Sequence, residues 1–550
     1  MLHRACILTL LGCFTITLGI GSSFGQEPAY NKKTIATLSK RIDEHLAKVW
    51  AKAKVSPAAK ADDFVYFRRL NLDLRGRIPE LSDVVDFVDD DDAEKRWLWV
   101  DRMLESQEYP AHFAHVWRNI MLGYQSNPQF QFLMPQFEGW LRERIKDNVA
   151  LDAMALQLLT SQVGGQNMGF GRGGMGTTSP QLFFQANENK AELLAAATSR
   201  VFLGVKIECA QCHAHPFAKW KQDQFWEFAA FYSQTPQIIR QPNQPAPAKL
   251  PTITPGREIL IPGTERVVKA KFLTGKMPDW ESSTNSRKTL ADWIVAKENP
   301  YFAKTMADHV WSYLMGVSLL EPINEPSDDI PLTHPELLDD LAKALVANNF
   351  DARFLVRAIV HSQAYQRGNG GAKLADKEDY HLFVRMPIRS LSPEQIFDSV
   401  VVATVSPHEI ETRRSLLGQP NQPQQFFDPR FQQSERAKFA LKFPMQDRRY
   451  EPQTSILQAL FMMNGEFLRK RTNATNNKDL KTLANPNLRD GHPARVMSLY
   501  RMVLSRPARP DEIARLVPYL ERGGATKNLG DAVSDIYWAL LNSSEFLHNH

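Results

Sequence analysis

Apolar residues recur every three to four positions along most of this chain, the spacing of one buried face on an α-helix. Leu38, Ile42, Leu46 and Trp50 fall four apart and predict a helix over residues 34–54. Phe67, Leu70 and Leu74 repeat the pattern within 64–74, and Trp97, Val100, Met103 and Leu104 within 93–106. The run Asp89 to Asp92 precedes that last helix, where negative charge meets the positive end of the helix dipole. Further helices are predicted over 82–89, 111–123, 137–148, 151–161 and 189–203. Asn189 and Glu192 stand in capping-box positions, and Gly204 ends the helix. A helix opening at Asp223 carries Phe225, Trp226, Phe228, Phe231 and Tyr232. In the second half, helical period covers 288–299, 300–313, 335–348, 352–361, 389–402, 456–470, 494–504, 511–520 and 528–546.

The interruptions divide the chain. Residues 163–180 are glycine-rich, with Met168 and Met175 among the glycines. No strand precedes them and no Gly-Lys-Ser/Thr follows, so they do not form a phosphate cradle. They read either as a flap that delivers a methionine to a cofactor or as a surface loop. Residues 237–256 are rich in proline and glutamine and read as a linker. Ile259 to Ile261 and Val267 to Phe272, either side of Pro262-Gly263, predict a short hairpin and the only strands. The expected fold is mainly α, with two helical domains and a small β-hairpin insert. Its segments are a leader at 1–25, a first helical domain at 26–235, the linker and hairpin at 236–275, and a second helical domain at 276–550. The polar stretch 407–450 predicts no element.

The leader reads as an export signal. His3 and Arg4 precede an apolar run from Ala5 to Ile20, and Ser23-Phe24-Gly25 has the form of a cleavage site. Leu10-Leu11-Gly12-Cys13 resembles a lipobox, but Leu11 is bulky there and apolar sequence continues beyond it. The expectation is a periplasmic or cell-surface protein with no transmembrane span in the mature chain. At 550 residues, one core is too few. The apolar fraction of 43% and charged fraction of 23% are those of a globular protein. A net charge of +5, with both signs interspersed, argues against nucleic acid as a partner.

Four cysteines occur, and Cys6 and Cys13 lie in the leader. The mature chain keeps two, both in Cys209-Ala210-Gln211-Cys212-His213. This Cys-x-x-Cys-His run is the attachment signature of a c-type haem. Two thiols three residues apart project from one helical turn and bond the two vinyl edges of a porphyrin, and the next histidine ligates the iron. Two other readings stay open. Cys209 and Cys212 with His213 and His215 offer a tetrahedral zinc set, and the two thiols alone offer a redox pair. For haem, His213 is the proximal ligand; Met168, Met175, Met277 and His309 are candidates for the sixth position. The neighbouring aromatic residues supply either a dry wall for the porphyrin or ordinary core.

No Gly-x-Ser-x-Gly elbow, Walker loop or His-Glu-x-x-His is present. Asp328-Asp329, Glu336 and Asp339-Asp340 near His334 offer paired carboxylates for acid–base work on a sugar, or solvated helix starts. Three functions follow: electron transfer or redox chemistry coupled to a partner protein or extracytoplasmic substrate, a metal-holding structural module, and a carbohydrate hydrolase.

The stretch Phe202-Leu203-Gly204-Val205 through Cys209 to Phe217, extended by Trp220, Gln222-Asp223 and Ala229-Ala230-Phe231, resembles the signature of an exported, planctomycete-type family, domain of unknown function 1549. That family is associated with cytochrome c domains. Arg287 to Trp293, Asn299 to Ala303, Val310-Trp311, Gly316, His334 to Leu338, Phe350-Asp351, Leu391 to Gln395 and Leu504 to Pro507 resemble its usual partner, domain of unknown function 1553. The resemblance implies export and haem use more firmly than any reaction. Arg75-Gly76-Arg77-Ile78-Pro79 and Asp308-His309 depart from the family pattern, which points to a divergent branch with its own partners or substrates.

Overall fold

The computed structural model describes residues 31–123, 134–163, 178–214, 220–235, 254–281, 285–320, 334–370, 377–404, 436, 439–440, 456–475, 477–488 and 491–550. The predicted helices form wherever the period is clear. Lys32–Ala53 buries Ile35, Leu38, Ile42, Leu46 and Trp50, the expected stripe extended by one turn. Asn31 caps it by accepting from the Thr34 amide. Asp62, Asn285 and Asp351 cap Asp63–Leu74, Ser286–Val295 and Ala352–His361 in the same way.

Several details differ from the expectations. Ala191–Leu203 starts at Lys190 without a side-chain cap, because Asn189 adopts φ +53° in the preceding turn. The aspartate run builds turns before Lys95–Leu104 instead of capping it. Asp90 accepts from the Asp92 amide and Asp92 from the Glu94 amide. The 456–470 helix is two, Ile456–Asn464 and Glu466–Arg471, broken at Gly465, where a Cβ would lie 2.4 Å from the Phe461 carbonyl oxygen. The last helix breaks at Ser543, which caps a closing turn, Ser544–Leu547.

The fold is mainly α, and the hairpin is present. Glu258–Leu260 pairs antiparallel with Val267–Lys269, with Ile259 opposite Val268. Arg266 and Lys271 tie it to Asp223 and Glu227 on helix Gln222–Ala229. It is not the only strand pair: Arg389–Ser390 pairs with His548–Asn549, folding the chain's end back.

Two hydrophobic cores form among the described residues. One draws on residues from Ile35 to Met386, so helices before and after the hairpin share it. The other draws on residues from Leu391 to Phe546, and takes Leu72 and Ile78 from the chain's first half. Helix Asp63–Leu74 lies at the seam. Asp73 is fully buried and accepts from Arg389 Nη2 at 2.8 Å, Tyr365 OH at 2.8 Å and Asn549 Nδ2 at 2.9 Å. Arg68 donates to the Val503 and Phe546 carbonyls at 3.1 Å each. Buried charges survive only when paired and hydrogen-bonded, so these contacts set how the two cores meet. Among the described residues, no helix is long and apolar enough to cross a membrane.

Candidate functional site

The Cys-x-x-Cys-His run follows helix Ala191–Leu203 directly. Gly204 turns the chain there at φ +66°, and a Cβ would lie 2.8 Å from Thr305 Oγ1. Only glycine meets both demands without strain. Val205 and Ile207 then anchor the backbone in the core. A 3₁₀ turn, Glu208–Gln211, carries the motif, tighter than the α-helical turn expected. Ala210 points inward and is fully buried, whereas Cys209, Cys212 and His213 are exposed. The thiols are free and form no disulfide. His213 Nδ1 lies 2.7 Å from the Ala214 carbonyl and donates to it, which leaves Nε2 as the ligating nitrogen.

Helix Gln222–Ala229 supports the turn from below. Trp226 Nε1 donates to the Gln211 carbonyl at 3.1 Å. Gln222 Nε2 donates to the Gln211 and Cys212 carbonyls at 3.3 and 3.1 Å. These are the orphan acceptors at the turn's C-terminal end.

The donor set fits a covalent haem: two accessible thiols, and an imidazole whose other nitrogen is already oriented. The aromatic set does not line it. Phe225, Trp226, Phe228, Phe231 and Tyr232 are all buried. Phe231 stacks on Phe272 at 5.3 Å, and Phe272 on Trp293 at 4.7 Å. They are core, and Trp226 reaches the motif through its indole N–H; Phe217 lies outside the described residues.

Met168, Met175 and His215 lie outside the described residues. Met277 is 54% exposed on a loop after the hairpin. His309 is part-buried, with Nε2 held 2.8 Å from the Val201 carbonyl. Burial pushes its pKa down to about 4, against the opposing hydrogen bond to Val201, so Nε2–H is spent as a donor near neutral pH. Among the described residues, no three His, Cys, Asp or Glu side chains gather around a point that would hold a metal.

Among the described residues, the acidic stretch does not assemble a paired acid and base. His334 is buried with Nε2 2.6 Å from the His381 carbonyl. Asp339 pairs with Lys304 at 2.5 Å, and Asp340 with His45 at 3.1 Å. Glu336 is exposed in the first turn of Pro335–Ala347. Asp328 and Asp329 lie outside the described residues.

A second polar cluster escaped the sequence reading. His115, Glu138, Glu394, Arg118 and Arg436 meet where helices Glu108–Leu122 and Met134–Lys146 approach Pro393–Thr404. His115 Nε2 lies 3.0 Å from Glu394 and Nδ1 3.5 Å from Glu138. Burial alone would raise both carboxyl pKa values. The charges of Arg118 and His115 outweigh it, taking Glu138 down to about 2 and Glu394 well below the usual carboxylate range.

 The chain carries them from position 115 to position 436, and only the fold brings them together.

Residues 41–237 match the family described as PSCyt2, a protein of unknown function (DUF1549). Residues 286–520 match the family described as PSD1, a protein of unknown function (DUF1553). The chain carries a PSCyt2 domain followed by a PSD1 domain. No curated protein and no solved structure matches it. The Cys-x-x-Cys-His turn and its supporting helix both fall within the PSCyt2 segment. Asp73 belongs to PSCyt2 and its partner Arg389 to PSD1, so the buried pair joins the two matched segments.

Proposed function

We propose that this PSCyt2–PSD1 chain is an exported c-type haem protein that passes electrons to or from a partner. The observation that carries this reading is the free, exposed Cys209 and Cys212 beside a His213 whose Nδ1 is already committed to a backbone carbonyl. Cys209 and Cys212 would hold the porphyrin edges, and His213 would hold the iron through Nε2. Bound haem supplies a one-electron couple at iron. The chain supplies orientation: Ala210 anchors the turn in the core, and the hydrogen bond to Ala214 fixes the imidazole tautomer. Exposure of the turn leaves an approach for a redox protein or an extracytoplasmic substrate. In this reading residues 1–25 are removed on export, 26–235 carry the haem, 236–275 link, and 276–550 present a docking or substrate surface.

The test is production in the periplasm of a host with haem-maturation machinery, followed by intact mass and a pyridine haemochrome spectrum. One covalent haem per chain, lost in Cys209→Ala with Cys212→Ala, is the expected result. A colourless chain with stoichiometric zinc would overturn the haem assignment and favour the metal-holding module.

A further inference from the structure

The three side-chain hydrogen bonds beneath the motif converge on two successive carbonyls, two of them on Gln211 and one on Cys212. Trp226 and Gln222 sit four residues apart on helix Gln222–Ala229, so both reach the same side. Between them they occupy the carbonyls of Gln211 and Cys212, at 3.1 to 3.3 Å. Their own helix is rigidly held. Phe225, Trp226 and Phe228 are buried, and Asp223 and Glu227 are tied to the hairpin. Closing a Cys209–Cys212 disulfide requires the Cβ atoms to approach within about 4 Å. The peptide between Gln211 and Cys212 lies inside the ring such a disulfide would close, and its oxygen takes two of the three bonds.

We infer that Gln222 and Trp226 are positioning residues that keep the Cys209–Cys212 turn open, presenting two separate thiols and resisting their closure into a disulfide. The inference builds on the proposed site but not on which group is bound there. In an oxidising compartment such resistance has a purpose, because a closed disulfide can accept neither a porphyrin nor a metal.

The experiment equilibrates the exported, haem-free chain, which lacks residues 1–25 and so holds only Cys209 and Cys212, with glutathione disulfide. The exchange balances as two protein thiols plus one glutathione disulfide giving one protein disulfide plus two glutathione thiols. Trp226→Phe keeps a buried aromatic ring and removes the N–H. Gln222→Glu keeps the side-chain shape and removes the donors, so a role that depended on packing alone would survive it. Each variant is expected to raise the closure constant by about tenfold, the worth of one to two hydrogen bonds, with unchanged far-ultraviolet circular dichroism. The same variants are expected to take up less covalent haem or zinc during production. Closure constants within twofold of the parent in a folded Gln222→Glu chain would overturn the inference, whether or not Trp226→Phe folds. A parent that never binds haem would overturn the proposed function and leave this inference standing.

Discussion

Removing the Asp73 carboxylate is the sharpest test of how the two halves are joined. The group is fully buried and takes three hydrogen bonds, from Arg389, Tyr365 and Asn549. Arg389 is fully buried too. Burial alone would lower its pKa, but the charge of Asp73 and the hydrogen bond to it hold the pKa above its ordinary value. Arg69 stands alongside, its Nη1 on the Tyr365 carbonyl at 2.5 Å, and its Nε and Nη2 have no hydrogen-bond partner among the described residues. Asp73→Ala therefore strands one buried guanidinium, worsens the balance around a second, and orphans a hydroxyl and an amide. Breaking such a pair from one side costs about 3–5 kcal/mol, and two nearby guanidiniums place the expectation in the upper half of that range.

A chain with two cores has no single unfolding free energy, so the readout should be local. Native-state hydrogen exchange in helix Asp63–Leu74 is expected to speed up by about three orders of magnitude, since each 1.4 kcal/mol is roughly tenfold. Replacing both partners, Asp73→Leu with Arg389→Leu, should recover about 2 kcal/mol relative to the sum of the single changes. The reasoning fails if Asp73→Ala leaves exchange within threefold of the parent, or if the two single changes simply add.

Three other outcomes follow from the same structure. Glu138 and Glu394 titrate lower in the folded chain than in the unfolded one, so the stability they contribute is present above about pH 4.5 and is lost as pH falls toward about 2. Acid titration followed by tryptophan fluorescence should show this loss, and Glu138→Gln should shrink the acid-sensitive step by on the order of 2 kcal/mol; a parent-like acid profile in that variant would contradict the cluster's role. Gly204→Ala combines a positive φ with a Cβ 2.8 Å from Thr305 Oγ1, so it should cost about 1–3 kcal/mol and reduce the yield of loaded protein, read by thermal melting and by haem or zinc content. His309 has its folded pKa depressed to about 4, so its contribution is present above about pH 6.5 and fades as pH falls through 4; histidine ring resonances in a nuclear magnetic resonance titration would check it, and a midpoint near 6.5 would refute the burial argument.

How much was legible can be judged element by element. The stripe Leu38, Ile42, Leu46 and Trp50 was readable because helical burial repeats locally, and those four side chains are buried as expected. The hairpin was readable from Pro262-Gly263 between two apolar runs. The break at Gly465 was missed because a lone glycine is compatible with a helix. Here a close approach of the Phe461 carbonyl is what makes glycine necessary. Arg68, Arg69, Asn71 and Asp73, clustered among the apolar positions of one helix, were a signal for the seam that the apolar period hid.

Local chemistry decided the helical class, most element positions, and the choice of Cys209, Cys212 and His213 as the candidate set. Those properties depend on neighbours within a few residues, and the order of residues carries them. Tertiary structure alone decided that the aromatic residues beside the motif pack inward, that His309 is spent on a backbone carbonyl, and that Asp73 meets Arg389, 316 residues later, and Asn549, 476 residues later. Such contacts form only when burial makes an unpaired charge or amide too costly to leave alone, and that condition exists only once both cores have closed.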